Sequence, residues 1–251
     1  MRVDRHNLQL VLAHDAIEGF MPAMTMPFDV ANPPAGVQPG DRVKAVLVVR
    51  TNSSRLEDLV VIRKAAGPIL TMPPSPLGPA VGAEVPDFQL RNQDDEPIRL
   101  RQFSGQALLV TFIYTRCPLP DFCPLIMKHL DTINRAVDSR ADLRRRVHLL
   151  GVSVDPEYDT PEVLRTYGKT FISARDPFER LDLATGDPAD VRRMATYFGL
   201  SYGTEGAQIT HTLSTAIIGV DGRIVALLAS NSWRPADALA AIETHLNRHR
   251  P

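Results

Sequence analysis

The chain of 251 residues carries a formal net charge of −1 at pH 7, with 44% hydrophobic and 23% charged residues. That length allows one large domain or two smaller ones, and the composition is ordinary for a globular protein. It argues against a nucleic-acid partner or an anionic membrane surface. No run of about 18 apolar residues is present to span a membrane, and the opening MRVDRHNLQLVLAH lacks an apolar segment of signal-peptide length.

The first segment reads as β-structure. In residues 7–13, Leu8, Leu10 and Leu12 alternate with other residues, as one face of a strand would. Pro39-Gly40 predicts a turn into a strand over 42–49, and the polar turn at Asn52-Ser53-Ser54 leads to another over 56–62. No long amphipathic helix is expected here. Residues 1–66 are therefore expected to form a small all-β domain, an OB-like barrel whose first strand is short or absent. Residues 67–82, GPILTMPPSPLGPAVG, are rich in proline, which fixes φ and removes a donor. This stretch is expected to be an extended linker.

Residues 83–251 read as α/β. A nearly continuous apolar run over 107–114 predicts a strand covered on both faces. From Pro124, Ile126, Leu130, Ile133 and Val137 recur at helical spacing. A second buried strand is expected over 147–154. Thr160-Pro161 and Asp187-Pro188 each predict an N-cap followed by proline in the first helical position. Apolar segments over 212–219 and 224–230 flank Asp221-Gly222, a hairpin signal. A last helix over 235–246 would turn Leu239, Ile242 and Leu246 inward. Strand, helix, strand, helix, hairpin, helix is the order of a thioredoxin-like domain.

The chain has only two cysteines, Cys117 and Cys123, in TRCPLPDFCP. On a continuous helix, positions six apart point about 240° apart, so the sulfurs could not meet. Pro118 and Pro120 make the intervening loop non-helical, and Pro124 suits a first helical position, which places Cys123 at the N-cap. Unpaired N–H groups at a helix start favour negative charge, so a thiolate is expected to be stabilised there, with Arg116 adding positive charge. The pair is read as a redox-active dithiol or a soft-metal site. A structural disulfide closing a small loop is the plainer alternative. A metal needs at least one more ligand, and His211, in ITHTLS, is the candidate. Two thiolates and one imidazole suit Cu(I), whereas zinc ordinarily wants a fourth ligand.

The segment HDAIEGFMPAMTMPF is a second candidate site. On a strand, Met24 and Met26 share a face, and His14 can meet them across a hairpin-like turn. Thioethers bind little except soft metals, although any single methionine is more often core filler.

Two resemblances add to this reading. Residues 83–247 resemble the Sco family of copper chaperones through VTFIYTRCPLPDFCP, GVSVDPEYDTPEVLRTYG and THTLSTAIIGVDGRIV. This resemblance implies that Cys117, Cys123 and His211 bind copper, with Cu(I) favoured and Cu(II) an alternative at this Cys/His site. Asp155 matches a motif position to which a local structural or tuning role is given. The family usually separates its cysteines by three residues, whereas five separate them here. The N-terminal segment resembles the small β-barrel chaperones of the CusF-like type, which implies His14, Met24 and Met26 as Cu(I) ligands. Met21 stands where that family has a capping tryptophan.

The combined expectation is a metallochaperone rather than an enzyme. It would deliver Cu(I) to a copper-accepting target, a cytochrome oxidase subunit by resemblance, with dithiol reduction of the target as an added role. The rival is a thiol–disulfide oxidoreductase with copper binding secondary; peroxide reduction ranks third. Both resemblances imply a periplasmic or cell-envelope location, and the native N-terminus is expected to lie upstream. His129, His148, His245 and His249 are given no site, and oligomeric state is left open.

Overall fold

The computed structural model describes residues 3–4, 9–21, 24–30, 35–38, 40–51, 53–65, 78–174, 176–200, 214–229 and 233–249. Two compact units result.

The strands of the first unit are β1 (Val3–Asp4), β2 (Gln9–His14), β3 (Met24–Asp29), β4 (Arg42–Arg50) and β5 (Ser53–Arg63). β1, β2 and β3 form one antiparallel sheet, and β4 and β5 form a separate antiparallel ribbon. A single parallel bridge, Val30 to Leu56, joins them. Leu10, Phe28, Val30, Leu56 and Leu59 make the core. At the base of the ribbon, the Asp41 carboxylate accepts from the main-chain N–H groups of Ala65 and Gln38 and from Lys64. These bonds hold its pKa down to about 2.

The all-β expectation holds, but the OB-like barrel does not close among the described residues. Closure requires every strand to pair on both sides. β1 has only two residues, and β4 pairs with β5 alone.

The second unit is built on a seven-stranded sheet. Its strands are β6 (Gln89–Asn92), β7 (Pro97–Arg99), β8 (Ala107–Ile113), β9 (Val147–Ser153), β10 (Leu181–Thr185), β11 (Ser214–Ile218) and β12 (Ile224–Ala229), in the order β12-β11-β8-β9-β10-β6-β7. β8, β9 and β10 run parallel, with antiparallel hairpins on either side. The helices are α1 (Cys123–Asp138), α2 (Pro161–Phe171), α3 (Pro188–Tyr197) and α4 (Pro235–Arg248). Every residue of β8 is buried, as a central parallel strand requires. The predicted stripe of α1, Ile126, Leu130, Ile133 and Val137, is at most 1% exposed. Each such side chain contributes about 1.5–3 kcal/mol by leaving water. α1 packs on α2 and α4, above β8 and β9.

Both predicted caps form. The Thr160 hydroxyl accepts from Val163 N at 3.4 Å and the Asp187 carboxylate from Ala189 N at 2.9 Å, each with proline opening the helix. Of the last helix's predicted inward residues, Ile242 and Leu246 are buried while Leu239 is half-buried, and Ala238 completes the stripe.

Three strands have no counterpart in the sequence reading. β6 and β7 are four and three residues long. β10, Leu-Asp-Leu-Ala-Thr, is wholly buried and carries Asp182 in its middle. That carboxylate is satisfied from β6, the turn after it and β9: Asn92 Nδ2 and Gln93 Nε2 donate to it at 3.1 and 3.2 Å, and His148 Nε2 lies 2.9 Å away.

Two other histidines prove better anchored than their sequence neighbours suggested. The His129 ring meets the edge of Trp233 at 4.7 Å. His245 lies on ordered helix, and its Nε2 accepts from the main-chain N–H of Val220 at 3.1 Å. Gly219 permits this contact, since a Cβ there would stand 2.5 Å from the His245 ring. Residues 66–77, most of the predicted linker, lie outside the described residues. Among the described residues no helix is long and apolar enough to cross a membrane.

Candidate functional site

β8 delivers the chain to Tyr114, and a turn over Thr115-Arg116 presents Cys117, whose N–H donates to Tyr114 O at 3.3 Å. The proline loop then runs to Phe122, the N-cap of α1, with φ −115° and ψ −113°. Cys123 therefore occupies the first helical position and Pro124 the second, so α1 starts one residue earlier than expected and Cys123 is not its N-cap. Both cysteines are free thiols. Cys117 lies close enough to Cys123 to act on its titration, so the loop of five residues brings the two side chains near each other.

The two sulfurs are not equivalent. Cys117 is half-buried, whereas Cys123 is 1% exposed. Burial pushes the Cys123 thiol well up, and Cys117 adds to that, while a backbone hydrogen bond from Tyr114 pulls the other way. The expected stabilisation of a thiolate at the helix start is thus outweighed by desolvation. Nor is the Arg116 charge free to act on Cys117. Its Nε and Nη2 donate to Asp155 Oδ2 at 3.0 and 2.7 Å, and its guanidinium lies 4.3 Å from the Tyr158 ring centre.

Residues that sequence reasoning passed over complete the surroundings. Asp159, fully buried, accepts from the main-chain N–H of Thr115 at 3.0 Å and from the hydroxyls of Thr115 and Ser153. Burial raises its pKa against those bonds. The phenol of Tyr114 hydrogen-bonds Cys117. The phenol of Tyr167, on α2, lies within electrostatic range of Cys123, Cys117 and Asp159. Asp159 and both tyrosines were present in the quoted motifs FIYTRC and DPEYDTPEVLRTYG, but nothing local marks them as facing the thiols.

His211 lies outside the described residues. β11 begins at Ser214, and Thr215 pairs with Thr111 of β8, so the chain enters β11 beside the end of β8 from which Cys117 emerges. Among the described residues, no group of three or more His, Cys, Asp or Glu side chains stands ready for a metal ion.

In the first unit, β2 and β3 pair so that His14 is the register partner of Met24, and Leu12 of Met26. His14 Nδ1 is 2.7 Å from the carbonyl of Asp15. A carbonyl only accepts, so Nδ1 carries the proton and Nε2 the lone pair. Nε2 is buried without a hydrogen-bond partner. The ring meets the edge of Phe28 at 5.7 Å and lines a cleft of about 560 Å³ with Leu12, Phe28, Asp41 and Leu56. A fixed imidazole with a buried, unused lone pair is the arrangement a soft metal ion needs. Met21 is 4% exposed and bridges to Ile17.

Comparison with known proteins agrees with both halves. Residues 79–247 match the SCO1/SenC family model, and residues 1–60 match that of the copper binding periplasmic protein CusF. Protein SCO1 homolog, mitochondrial, of Homo sapiens is 28% identical over 169 residues, covering 65% of this chain and 53% of the human one. The chain thus spans about half the length of that relative. The SCO1 protein homolog of Bacillus subtilis is 26% identical over 146 residues, covering 57% of this chain and 72% of its own.

Among solved structures, copper-bound ScoI of Bradyrhizobium japonicum superposes with a TM-score of 0.51 at 27% identity, covering 66% of this chain and 99% of its own. Copper-bound ScoI of Arabidopsis thaliana gives 0.55 at 20%, covering 68% and 100%. BsSco, described as a Sco-family cytochrome c oxidase assembly protein with a disulfide switch, gives 0.56 at 23%, covering 68% and 98%. The last two establish the fold, which is the thioredoxin-like one expected. With a family model matched over two thirds of its length and the same fold in its structural neighbours, the chain belongs to the SCO1/SenC family.

Proposed function

We propose that this protein is a copper chaperone with two separate soft-donor sets, Cys117, Cys123 and His211 as one and His14, Met24 and Met26 as the other. The observation that carries the reading is the pair of free thiols brought close together, Cys117 in the turn after β8 and Cys123 at the start of α1. Two thiolates with one imidazole favour Cu(I), and the same set accepts Cu(II). Copper is cargo here: it displaces the thiol protons on arrival and leaves when a target offers competing donors. His14 supports the second set through its buried Nε2 lone pair.

The acceptor proposed is the copper centre of cytochrome c oxidase, supported by the role described for BsSco. A cell-envelope location is supported by the periplasmic family matched at residues 1–60 and by a structural neighbour that is a SCO1/SenC family lipoprotein of Bacillus anthracis. Anaerobic Cu(I) titration tests the reading. About two Cu(I) per chain are expected, with one lost in Cys117→Ala/Cys123→Ala and the other in Met24→Ala/Met26→Ala. A titration without a cysteine-dependent step overturns it.

The asymmetry of the thiols favours a second reading, thiol–disulfide exchange, with Cys117 the accessible attacking sulfur and Cys123 the buried partner that closes the disulfide. Fast reduction of a substrate disulfide that His211→Ala leaves unchanged would decide for it.

A further inference from the structure

The loop between the cysteines is fastened by more than its two ends. Its residues Pro118–Asp121 belong to the first compact unit, together with β4 and β5. There the Asp121 carboxylate accepts from two groups of Ser54, the second residue of β5. The Ser54 main-chain N–H donates to Oδ2 at 3.0 Å, and its hydroxyl lies 2.7 Å from Oδ1 and 2.9 Å from Oδ2. Ser54 is 4% exposed, and Leu119 within the loop is 1% exposed. Hydrogen bonds to a carboxylate are about twice as strong as neutral ones, and burial keeps competing water away. Five residues separate the cysteines where the family usually has three, and Leu119 and Asp121 are among them. A longer loop has more freedom to lose when its ends are joined, so an anchor within it counts for more.

We propose that Asp121 is a positioning residue for the Cys117–Cys123 pair, holding the intervening loop on Ser54 so that the thiols stay close before a disulfide or a copper ion joins them. The proposal rests on the reading of these cysteines as a working pair. Linking two thiols takes chain freedom from the loop between them, and that loss opposes the link. The Ser54 bonds remove part of that freedom in advance, so the linked state forms at lower cost. Ser54 reaches the thiols only through Asp121, so its effect must vanish once that carboxylate is gone.

The test is the dithiol–disulfide equilibrium of the full chain against dithiothreitol. The Cys117 and Cys123 thiols give two electrons and two protons to oxidised dithiothreitol, whose ring disulfide opens to two thiols as the protein's S–S bond forms. Asp121→Ala should weaken the protein disulfide about tenfold, and Ser54→Ala, which keeps the main-chain donor, about threefold. Ser54→Ala/Asp121→Ala should be no weaker than Asp121→Ala alone. Asp121→Asn keeps an acceptor oxygen and should recover part of the loss; with Ser54→Ala it decides the question if Asp121→Ala does not fold. Cu(I) affinity, read by competition with a chromophoric chelator in a Met24→Ala/Met26→Ala background, should fall in the same order. A contact that serves only the fold would lower the urea midpoint of the reduced variants and leave the equilibrium constant at its wild-type value. That result overturns the proposal, as do additive losses in the double variant. A wild-type chain whose thiols neither form this disulfide nor take up Cu(I) overturns the reading of the pair instead.

Discussion

The main-chain N–H of Thr115 donates to Asp159 Oδ2 at 3.0 Å, which ties the turn before Cys117 to the loop that opens α2. The same carboxylate takes the Thr115 and Ser153 hydroxyls, so one fully buried side chain joins the exit of β8, the exit of β9 and the start of a helix. Asp159→Ala leaves these donors without an acceptor. The hydroxyls can turn elsewhere but the N–H cannot. A loss of about 3 kcal/mol is expected, read as a lower urea midpoint at unchanged slope.

Copper uptake at the cysteine pair should depend on pH. Burial raises the Cys123 thiol, so its proton is still bound at neutral pH and must leave before copper is held. Apparent Cu(I) affinity should therefore rise with pH, by about tenfold per unit for each proton displaced, until the thiol titrates by itself. Competition titrations between pH 6 and about 9 measure the slope. A flat profile would mean that copper does not displace the Cys123 proton.

The contact between Val220 N–H and His245 Nε2 makes stability pH-dependent. Nε2 can accept only while the ring is neutral. Burial lowers the His245 pKa from its ordinary 6.5, and His249, Arg248 and Arg146 lower it further against the pull of Asp221. A depressed histidine binds fewer protons folded than unfolded. Its contribution is complete above pH 6.5 and is lost as pH falls from there through the lower folded value. Urea unfolding of wild type and His245→Gln at pH 8, 6.5 and about 5 checks this, with the wild-type curve alone expected to steepen on the acid side. Parallel curves would remove His245 from the account.

Gly219→Ala should destabilise the same junction by about 1–3 kcal/mol, since its Cβ would stand 2.5 Å from the His245 ring and α4 or the hairpin must shift. The measurement is thermal unfolding. Relief of the loss in Gly219→Ala/His245→Ala, compared with the two single variants, would locate the clash in the ring.

His14→Ala should abolish Cu(I) binding in the first unit and leave the cysteine set at full occupancy, because the imidazole Nε2 is a buried, unpartnered donor to metal. Copper stoichiometry should fall from about two to about one. Loss of both sites together would show that the sets do not bind independently.

Features written into short stretches were legible before the fold was known. The all-apolar β8, the periodic face of α1, and the caps Thr160 and Asp187 each depend on residues within about one or two turns. β10 was missed because an aspartate in a buried strand makes sense only beside Asn92, Gln93 and His148, which come from elsewhere in the chain. Barrel closure was overread because alternation predicts strands but not which edges pair.

The cysteine pair divides along the same line. By themselves, the residues of TRCPLPDFCP determined that a proline-broken loop would run from a strand end to a helix start and place two thiols there. Tertiary structure decided their inequality, with Cys117 half-buried, Cys123 enclosed, and Tyr114, Asp159 and Tyr167 arranged around them. Chain geometry is a local property of φ, ψ and proline, whereas burial and its effect on a thiol depend on packing by residues far away in sequence.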